Sequence, residues 1–135
     1  MTRERGTRGS ETVLLVEDEI AVRELFRKGL EFRGYKVLAA LTPEEALEAS
    51  RGYAGPIHLL LTDVVMPGIG GLELASRVLA LRPGIRVLYM SGYTDEAVVR
   101  DGLVADDVDF LQKPFTLEEL AAKIRSVLDA ARGGH

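Results

Sequence analysis

The 135-residue chain contains no cysteine. This absence excludes disulfides, thiolate metal sites and cysteine nucleophiles, and it is compatible with a reducing compartment. No apolar run reaches the roughly 18 residues that a helix needs to span a bilayer, and the first residues lack the apolar stretch of a signal peptide. We therefore expect a soluble, cytoplasmic protein.

The chain also lacks an excess of positive charge, since 17 Lys and Arg residues stand against 21 Asp and Glu residues. A surface that coats nucleic acid needs clustered basic residues, so we expect no nucleic-acid partner. The apolar content of 47% fits one compact domain, and the length leaves no room for a second. We expect this domain at residues 12–131, between flexible tails at 1–11 and 132–135.

Short apolar runs alternate with longer segments of helical periodicity. This pattern is typical of βα units that form a parallel sheet buried on both faces. The predicted strands are residues 13–16, 36–39, 57–61, 85–90 and 108–111. The predicted helices are residues 20–33, a second helix that begins near residue 43, and residues 72–81, 95–101 and 117–131. The sequence therefore predicts an α/β fold with a doubly wound sheet of five parallel strands.

Two of these helices carry boundary signals. Gly34 can end the first helix in a left-handed conformation. For the second helix, Thr42 is the expected N-cap and Pro43 the first helical residue. Glu45 is placed to complete a capping box with Thr42. The first helix is expected to place five apolar residues near its inner face: Val22, Leu25, Phe26, Leu30 and Phe32.

Polar side chains follow four of the predicted strands. Glu17 and Asp18 follow the first strand, Asp63 the third, Ser91 the fourth and Lys113 the fifth. Functional clefts in open parallel sheets lie at the carboxyl ends of the strands, so these side chains should meet in one cleft.

Three carboxylates held close together repel one another unless a cation neutralises them. Oxygen ligands without His or Cys favour a hard ion such as Mg²⁺, with Glu17, Asp18 and Asp63 as ligands. A carboxylate beside such a cation can attack phosphorus, and Asp63 is the candidate nucleophile. Lys113 and Ser91 could then pair with phosphoryl oxygens.

Each of these residues also has a simpler structural explanation. Acids at 17–19 fit any helix start, and Asp63 could open a turn. Ser91 with Gly92 is an ordinary turn pair, and Lys113 could belong to a solvated loop. Taken together, these explanations give no reason for such residue types to end the correct strands in the correct order.

Over residues 13–128 the sequence resembles the response-regulator receiver domains of two-component signalling. The matching motifs are LLVEDE at 14–19, LTDVVMP at 61–67, MSGY at 90–93 and FLQKPF at 110–115. The resemblance implies a flavodoxin-like fold with strand order 2-1-3-4-5 and five helices. It also implies that Asp63 accepts a phosphoryl group from a phosphohistidine on a histidine kinase or a histidine phosphotransfer protein.

The resemblance further implies a Mg²⁺ site, in which Mn²⁺ could substitute, and a cis peptide bond between Lys113 and Pro114. The implied metal ligands are Asp18, Asp63 and the main-chain carbonyl of Val65, with Glu17 acting directly or through water. By the same resemblance, Ser91 and Phe110 form a switch that changes the surface of the fourth helix, fifth strand and fifth helix, which either dimerises or holds a partner. Phe110 equally fits a plain core position.

Two positions bear on phosphoryl lifetime. Family members that dephosphorylate quickly often carry polar side chains where this chain has Val65 and Tyr93. We therefore predict slow self-dephosphorylation. The motifs around Ser91 and Lys113 are similar to receivers fused behind sensor histidine kinases, so the chain is expected to be either a stand-alone phosphoryl shuttle or sink, or one domain of a hybrid kinase.

Three other functions fit less well. A Mg²⁺-dependent phosphatase with an aspartyl nucleophile usually needs an acid two positions after the nucleophile, where this chain has Val65. A dinucleotide-binding module would need a third glycine after Gly68-Ile69-Gly70-Gly71. A pseudo-receiver that only binds partners is disfavoured because every acceptor-site position holds a competent residue.

Overall fold

The computed structural model describes residues 8–66, 68–91 and 109–133, with side chains described as far as residue 130. The strands are β1 (Thr12–Val16), β2 (Lys36–Ala40), β3 (Leu59–Asp63), β4 (Arg86–Ser91) and β5 (Asp109–Gln112). The helices are α1 (Ile20–Phe32), α2 (Pro43–Gly52), α3 (Gly70–Leu81) and α4 (Leu117–Gly133). None of the helices in these ranges is long and apolar enough to cross a membrane.

The five strands form one parallel sheet in the order β2-β1-β3-β4-β5. The predicted fold and strand order are therefore confirmed. Four of the five expected helices lie within the described residues, and the expected helix at 95–101 lies outside them.

The two faces of the sheet carry separate apolar clusters because side chains alternate along each strand. Leu14 and Leu60 point to the face covered by α2 and α3, where they pack with residues such as Leu74. Leu15 and Leu61 point to the opposite face, covered by α1 and α4. A chain that buries both sheet faces in this way leaves its functional groups at the strand ends.

Helix α1 buries a narrower stripe than the sequence predicted. Phe26 and Leu30 are buried, and Val22 packs partly against the same cluster, at the i, i+4, i+8 spacing of one helical face. Leu25 and Phe32 are 55% and 76% exposed, so their predicted inward orientation is wrong. At 100° per residue, Leu25 is turned away from the face that Phe26 and Leu30 occupy.

The boundaries of α1 and α2 follow the predicted signals. Gly34 has φ 103° directly after α1, as expected for a left-handed glycine. At the start of α2, the side chain of Thr42 accepts a hydrogen bond of 3.1 Å from the N–H of Glu45. The Glu45 carboxylate accepts a hydrogen bond of 2.7 Å from the N–H of Leu41. In the standard capping box this acid accepts from the N–H of the N-cap residue itself, here Thr42, so the donor lies one residue earlier in the chain.

Residues just before β1 contact the domain, although the sequence placed them in a mobile tail. The N–H of Gly9 donates to the carbonyl of Arg33 at 3.1 Å. The carboxylate of Glu11 forms an ion pair of 2.7 Å with Arg125 on α4, and the same guanidinium donates to the hydroxyl of Tyr35 at 3.2 Å. At the other end, α4 extends to Gly133, two residues beyond the predicted helix end at 131.

Candidate functional site

Asp63 is the last residue of β3 and lies opposite Met90 of β4 in the sheet register. Its exposed fraction is 6%. The next residue, Val64, donates its N–H to the carbonyl of Met90 at 2.9 Å, so the chain is held to β4 until just past the carboxylate. The aspartate therefore stands on a fixed strand end rather than in a loose turn.

Glu17 and Asp18 come from the neighbouring strand end. The pairing of Val16 with Thr62 brings the residue after β1 beside Asp63. Oxygen atoms of Glu17, Asp18 and Asp63 lie within 4.8 Å of one another. Glu17 is only 1% exposed, whereas Asp18 is exposed. The sequence prediction that these three acids converge is confirmed.

Lys113 reaches the acids from beyond the end of β5. Its ammonium lies 2.9 Å from Oδ1 of Asp63 and 3.7 Å from Oε1 of Glu17. Its main-chain N–H donates to the carbonyl of Ser91 at 2.6 Å, and the peptide bond to Pro114 is cis, as the resemblance implied. Lys113 therefore belongs to the site and not to a solvated loop.

The charges in this cluster shift one another's proton affinity. Burial raises the pKa of Glu17 to about 7, and the charge of Asp63 adds to the rise. Burial also raises the pKa of Asp63, against the hydrogen bond from Lys113. Burial alone would lower the pKa of Lys113, but the contact with Asp63 and the charges of Glu17 and Glu19 together outweigh burial and raise the pKa. The single ammonium of Lys113 thus does not neutralise the three acids, and the cluster favours the binding of a proton or of a second cation.

A hard divalent cation fits this donor set. Oε1 of Glu17 is buried and accepts no hydrogen bond from the described residues, while Oε2 accepts from the N–H of Glu19 at 3.2 Å. A buried carboxylate oxygen without a hydrogen bond is costly, with Lys113 only at 3.7 Å, and a cation in direct contact relieves that cost. Carboxylate oxygens without His or Cys are the ligands typical of Mg²⁺.

The remaining predicted residues occupy different environments. Ser91 ends β4 and is buried, with its carbonyl bound to Lys113. Phe110 pairs in register with Tyr89 and packs partly buried against the α2 and α3 cluster. Val65, two residues after Asp63 in the chain, is 55% exposed. Pro67, Gly92 and Tyr93, which the motifs also included, lie outside the described residues.

Gly71 is a structural requirement of the site, although its motif was weighed above only as a possible dinucleotide-binding loop. A Cβ at this position would lie 1.9 Å from the main-chain oxygen of Asp63. The N–H of Gly71 donates to the carbonyl of Val64 at 2.8 Å, which ties the start of α3 to the end of β3. Only a residue without a side chain allows this approach. The glycine pair shortly after the acidic strand end was the available signal.

The chain belongs to the response regulator receiver domain family, which its sequence matches over residues 13–125. It is thus a receiver domain of two-component signalling, as the resemblance predicted.

Two relatives and one solved structure illustrate the likeness. The sensor kinase CckA of Brucella abortus (strain 2308) is 39% identical over 121 residues, which are 90% of this chain and 13% of that kinase. The response regulator receiver protein CpdR of the same strain is 36% identical over 119 residues, covering 88% of this chain and 98% of CpdR. The crystal structure of the receiver domain from the hybrid histidine kinase CckA is 36% identical, with a TM-score of 0.72 and coverage of 87% of this chain and 98% of that one. The chain therefore matches a small part of one relative and nearly all of another.

Proposed function

We propose that the chain is a phosphoacceptor in a two-component phosphorelay and that Asp63 receives the phosphoryl group. The observation that carries this proposal is the ammonium of Lys113 at 2.9 Å from Oδ1 of Asp63, within a cluster of three carboxylates. A cation fixed beside a buried carboxylate suits the arrival of a second, highly charged group at that carboxylate.

In the proposed reaction, an oxygen of Asp63 attacks the phosphorus of a phosphohistidine on a histidine kinase or histidine phosphotransfer protein. A phosphorus–oxygen bond forms, the phosphorus–nitrogen bond breaks, and the donor imidazole leaves. Lys113 then pairs with the new phosphoryl oxygens, and Ser91, buried at the neighbouring strand end, supplies a hydroxyl to them. The chain takes part in its own phosphorylation but is not an enzyme with a separate substrate.

Mg²⁺, or Mn²⁺ in its place, would be held by Asp18, Asp63, the main-chain carbonyl of Val65, and Glu17 directly or through water. When bound, the ion offsets the negative charge that accumulates as phosphate approaches the acids. The buried Oε1 of Glu17, which accepts no hydrogen bond from the described residues, supports this assignment.

The proposed response to phosphorylation couples Ser91 to Phe110. Because Phe110 is only partly buried and lies beside Tyr89 in the sheet, a movement of the β4 end toward the phosphoryl group changes the space that its ring can occupy. The surface affected comprises β5, α4 and the predicted helix at 95–101, which lies outside the described residues. This surface would then serve either a partner or a second copy of the chain.

The place of the chain in a relay has two forms. In one form it acts as a stand-alone shuttle or sink, which the match to nearly all of CpdR favours. In the other it is the receiver of a hybrid histidine kinase, which the likeness to the CckA receiver favours. In both forms the partners are a histidine kinase or a phosphotransfer protein, with no nucleic acid, and the expected location is the cytoplasm.

Incubation with acetyl phosphate or phosphoramidate and Mg²⁺ tests the proposal. We expect an adduct of one phosphoryl group per chain that depends on Mg²⁺ and is absent from Asp63→Asn. Glu48→Gln, an exposed acid on α2, serves as the matched control and should be labelled normally. Turnover of a phosphomonoester without an adduct would support a phosphatase, and no reaction at all would support a pseudo-receiver.

A further inference from the structure

The hydroxyl of Thr62 is buried in β3 directly before the candidate phosphoacceptor. Its Oγ1 donates a hydrogen bond of 3.1 Å to the main-chain oxygen of Asp63 and lies 3.6 Å from Sδ of Met66. Sulfur is a weak acceptor, so the carbonyl is the main partner of the single hydroxyl proton. Thr62 therefore contacts both ends of the short segment that joins Asp63 to Met66.

The peptide group that follows Asp63 is held at both of its polar atoms. Its oxygen accepts from the Thr62 hydroxyl. Its nitrogen, which belongs to Val64, donates to the carbonyl of Met90 at 2.9 Å. Because a peptide group is planar, hydrogen bonds at both its oxygen and its nitrogen leave it little freedom to rotate. The direction in which the chain leaves β3 is thereby fixed.

Val65 lies between residues that are held in place on both sides. The carbonyl of Val64 accepts from the N–H of Gly71 at 2.8 Å. On the other side, Met66 is buried and its sulfur contacts Thr62. The side chain of Val65 is exposed, so packing of that side chain does little to orient its own carbonyl. The orientation of the Val65 carbonyl therefore depends on the contacts of its neighbours.

We propose that Thr62 is a positioning residue for the metal site and that its hydroxyl sets the direction of the Val65 carbonyl. The inference rests on the proposed function, in which that carbonyl and the Asp63 carboxylate bind Mg²⁺. A small ion such as Mg²⁺ demands near-ideal octahedral geometry of its ligands, whereas the larger Ca²⁺ accepts flexible arrangements. The Thr62 hydroxyl thus contributes to the selectivity of the site for Mg²⁺ and not only to the stability of the fold.

The test is a titration of the isotope-labelled full chain with Mg²⁺ alone and with Ca²⁺ alone, followed through the amide signals of Asp18, Val64 and Gly71. Thr62→Val replaces the hydroxyl with a methyl group of similar size and leaves the Asp63 carbonyl without this donor. A single hydrogen bond changes an equilibrium constant by about two- to tenfold. We expect Mg²⁺ binding to weaken by about two- to tenfold and Ca²⁺ binding by less than about twofold.

Two further variants separate the hydroxyl from the loss of a buried polar group in general. Thr62→Ser keeps a hydroxyl and should bind both ions nearly as the unmodified chain does. Thr12→Val is the matched control, because it removes a hydroxyl from a buried threonine at the start of β1, the end of that strand away from the acids. Both ion affinities should be unchanged in this control.

Equal weakening of Mg²⁺ and Ca²⁺ binding in Thr62→Val, or no weakening at all, would overturn the role of Thr62. The same holds if Thr62→Ser loses as much Mg²⁺ affinity as Thr62→Val, or if Thr12→Val shows the same change. If Thr62→Val does not fold, Thr62→Ala also lacks the hydroxyl and adds no bulk. A normal preference for Mg²⁺ in Thr62→Ala would then contradict the inference.

The unmodified chain separates this inference from the function on which it rests. If that chain binds no Mg²⁺, the proposed metal site is wrong and the role of Thr62 falls with it. If it binds Mg²⁺ and is labelled by acetyl phosphate while Thr62→Val keeps the same ion preference, only the role of Thr62 is wrong.

Discussion

The ammonium of Lys113 contacts the carboxylate of Asp63 at 2.9 Å across the end of β4. Strand β4 lies between β3, which ends at Asp63, and β5, which Lys113 directly follows. The contact requires β3, β4 and β5 to end at the same edge of the sheet. It leaves Glu17, buried beside the pair, with Lys113 at 3.7 Å as its nearest cation among the described residues. The site is therefore short of positive charge before any metal or phosphoryl group arrives.

This shortage predicts a loss of stability with rising pH in metal-free protein. Burial raises the pKa of Glu17 from 4.5 to about 7, so the folded state holds a proton that the unfolded state releases. The stabilisation is fully present below about pH 4.5 and is lost as the pH rises to about 7. Urea unfolding in the presence of a chelator should show a decline of about 1–3 kcal/mol across this interval.

Glu17→Gln provides the comparison for that experiment, because the amide cannot release a proton. We expect its free energy of unfolding to vary less over the same pH range, and Mg²⁺ to stabilise the unmodified chain more at pH 8 than at pH 5. Parallel pH curves for the two proteins would contradict the assignment of the buried proton to Glu17.

A second pH effect of opposite sign should arise at the other end of the domain. The hydrogen bond from Arg125 lowers the pKa of Glu11 to about 2. This ion pair therefore stabilises the fold above about pH 4.5, and the stabilisation is lost as the pH falls toward 2. Partial exposure to solvent reduces its size, so we expect Glu11→Gln to destabilise by about 1 kcal/mol at pH 7 and by less at pH 3.

Glu48→Gln is the control for Glu11, since it removes an exposed acid for which the described residues show no partner. Its unfolding free energy should match that of the unmodified chain at both pH values. If Glu11→Gln behaves in the same way, the contact between the segment before β1 and α4 contributes nothing measurable.

Gly71→Ala should destabilise the fold because the new Cβ would lie 1.9 Å from the main-chain oxygen of Asp63. Backbone atoms cannot move aside as a flexible side chain can, so we expect a loss of about 2–3 kcal/mol in urea unfolding. Gly52→Ala is the matched control, since a Cβ there has nothing within 4 Å. It should be neutral or stabilise slightly. Equal stability of both variants would show that α3 shifts without cost.

The lifetime of the phosphorylated state should depend on Val65. Val65 follows Asp63 by two residues, and its exposed hydrocarbon side chain cannot orient an attacking water. Val65→Asn supplies such a group, and we expect acyl-phosphate decay to accelerate by about three- to tenfold. Adding Tyr93→Glu should increase the rate further. Val65→Leu keeps the apolar character and should decay like the unmodified chain, and equal rates in all variants would remove the claim.

The strands and the site could be predicted from sequence because both depend on a local pattern, in which each short apolar run is followed directly by a polar residue. The run from Val13 to Val16 is buried throughout, and the acids after it meet Asp63 as the parallel topology requires. The third strand was predicted two residues too early. Its limits are set by pairing with β4, which reaches Asp63 opposite Met90, and not by where the apolar run begins.

Contacts between distant residues could not be predicted in the same way. The sequence shows that Glu17 and Asp18 are both acids, but only the fold reveals that the first is buried and the second exposed. Arg82 donates hydrogen bonds to the carbonyls of Ser50, Tyr53 and Gly55, and nothing in the local pattern around Arg82 indicates those acceptors. Such contacts depend on how α2 and α3 pack, which periodicity alone does not specify.

The most direct measurement of the central claim is the location of the phosphoryl group after labelling with acetyl phosphate and Mg²⁺. Peptide mapping of the trapped adduct should find one phosphoryl group, on Asp63, and Lys113→Ala should lower the yield without moving the site. Modification of a different residue, or labelling of Asp63→Asn to the same extent as the unmodified chain, would contradict the account.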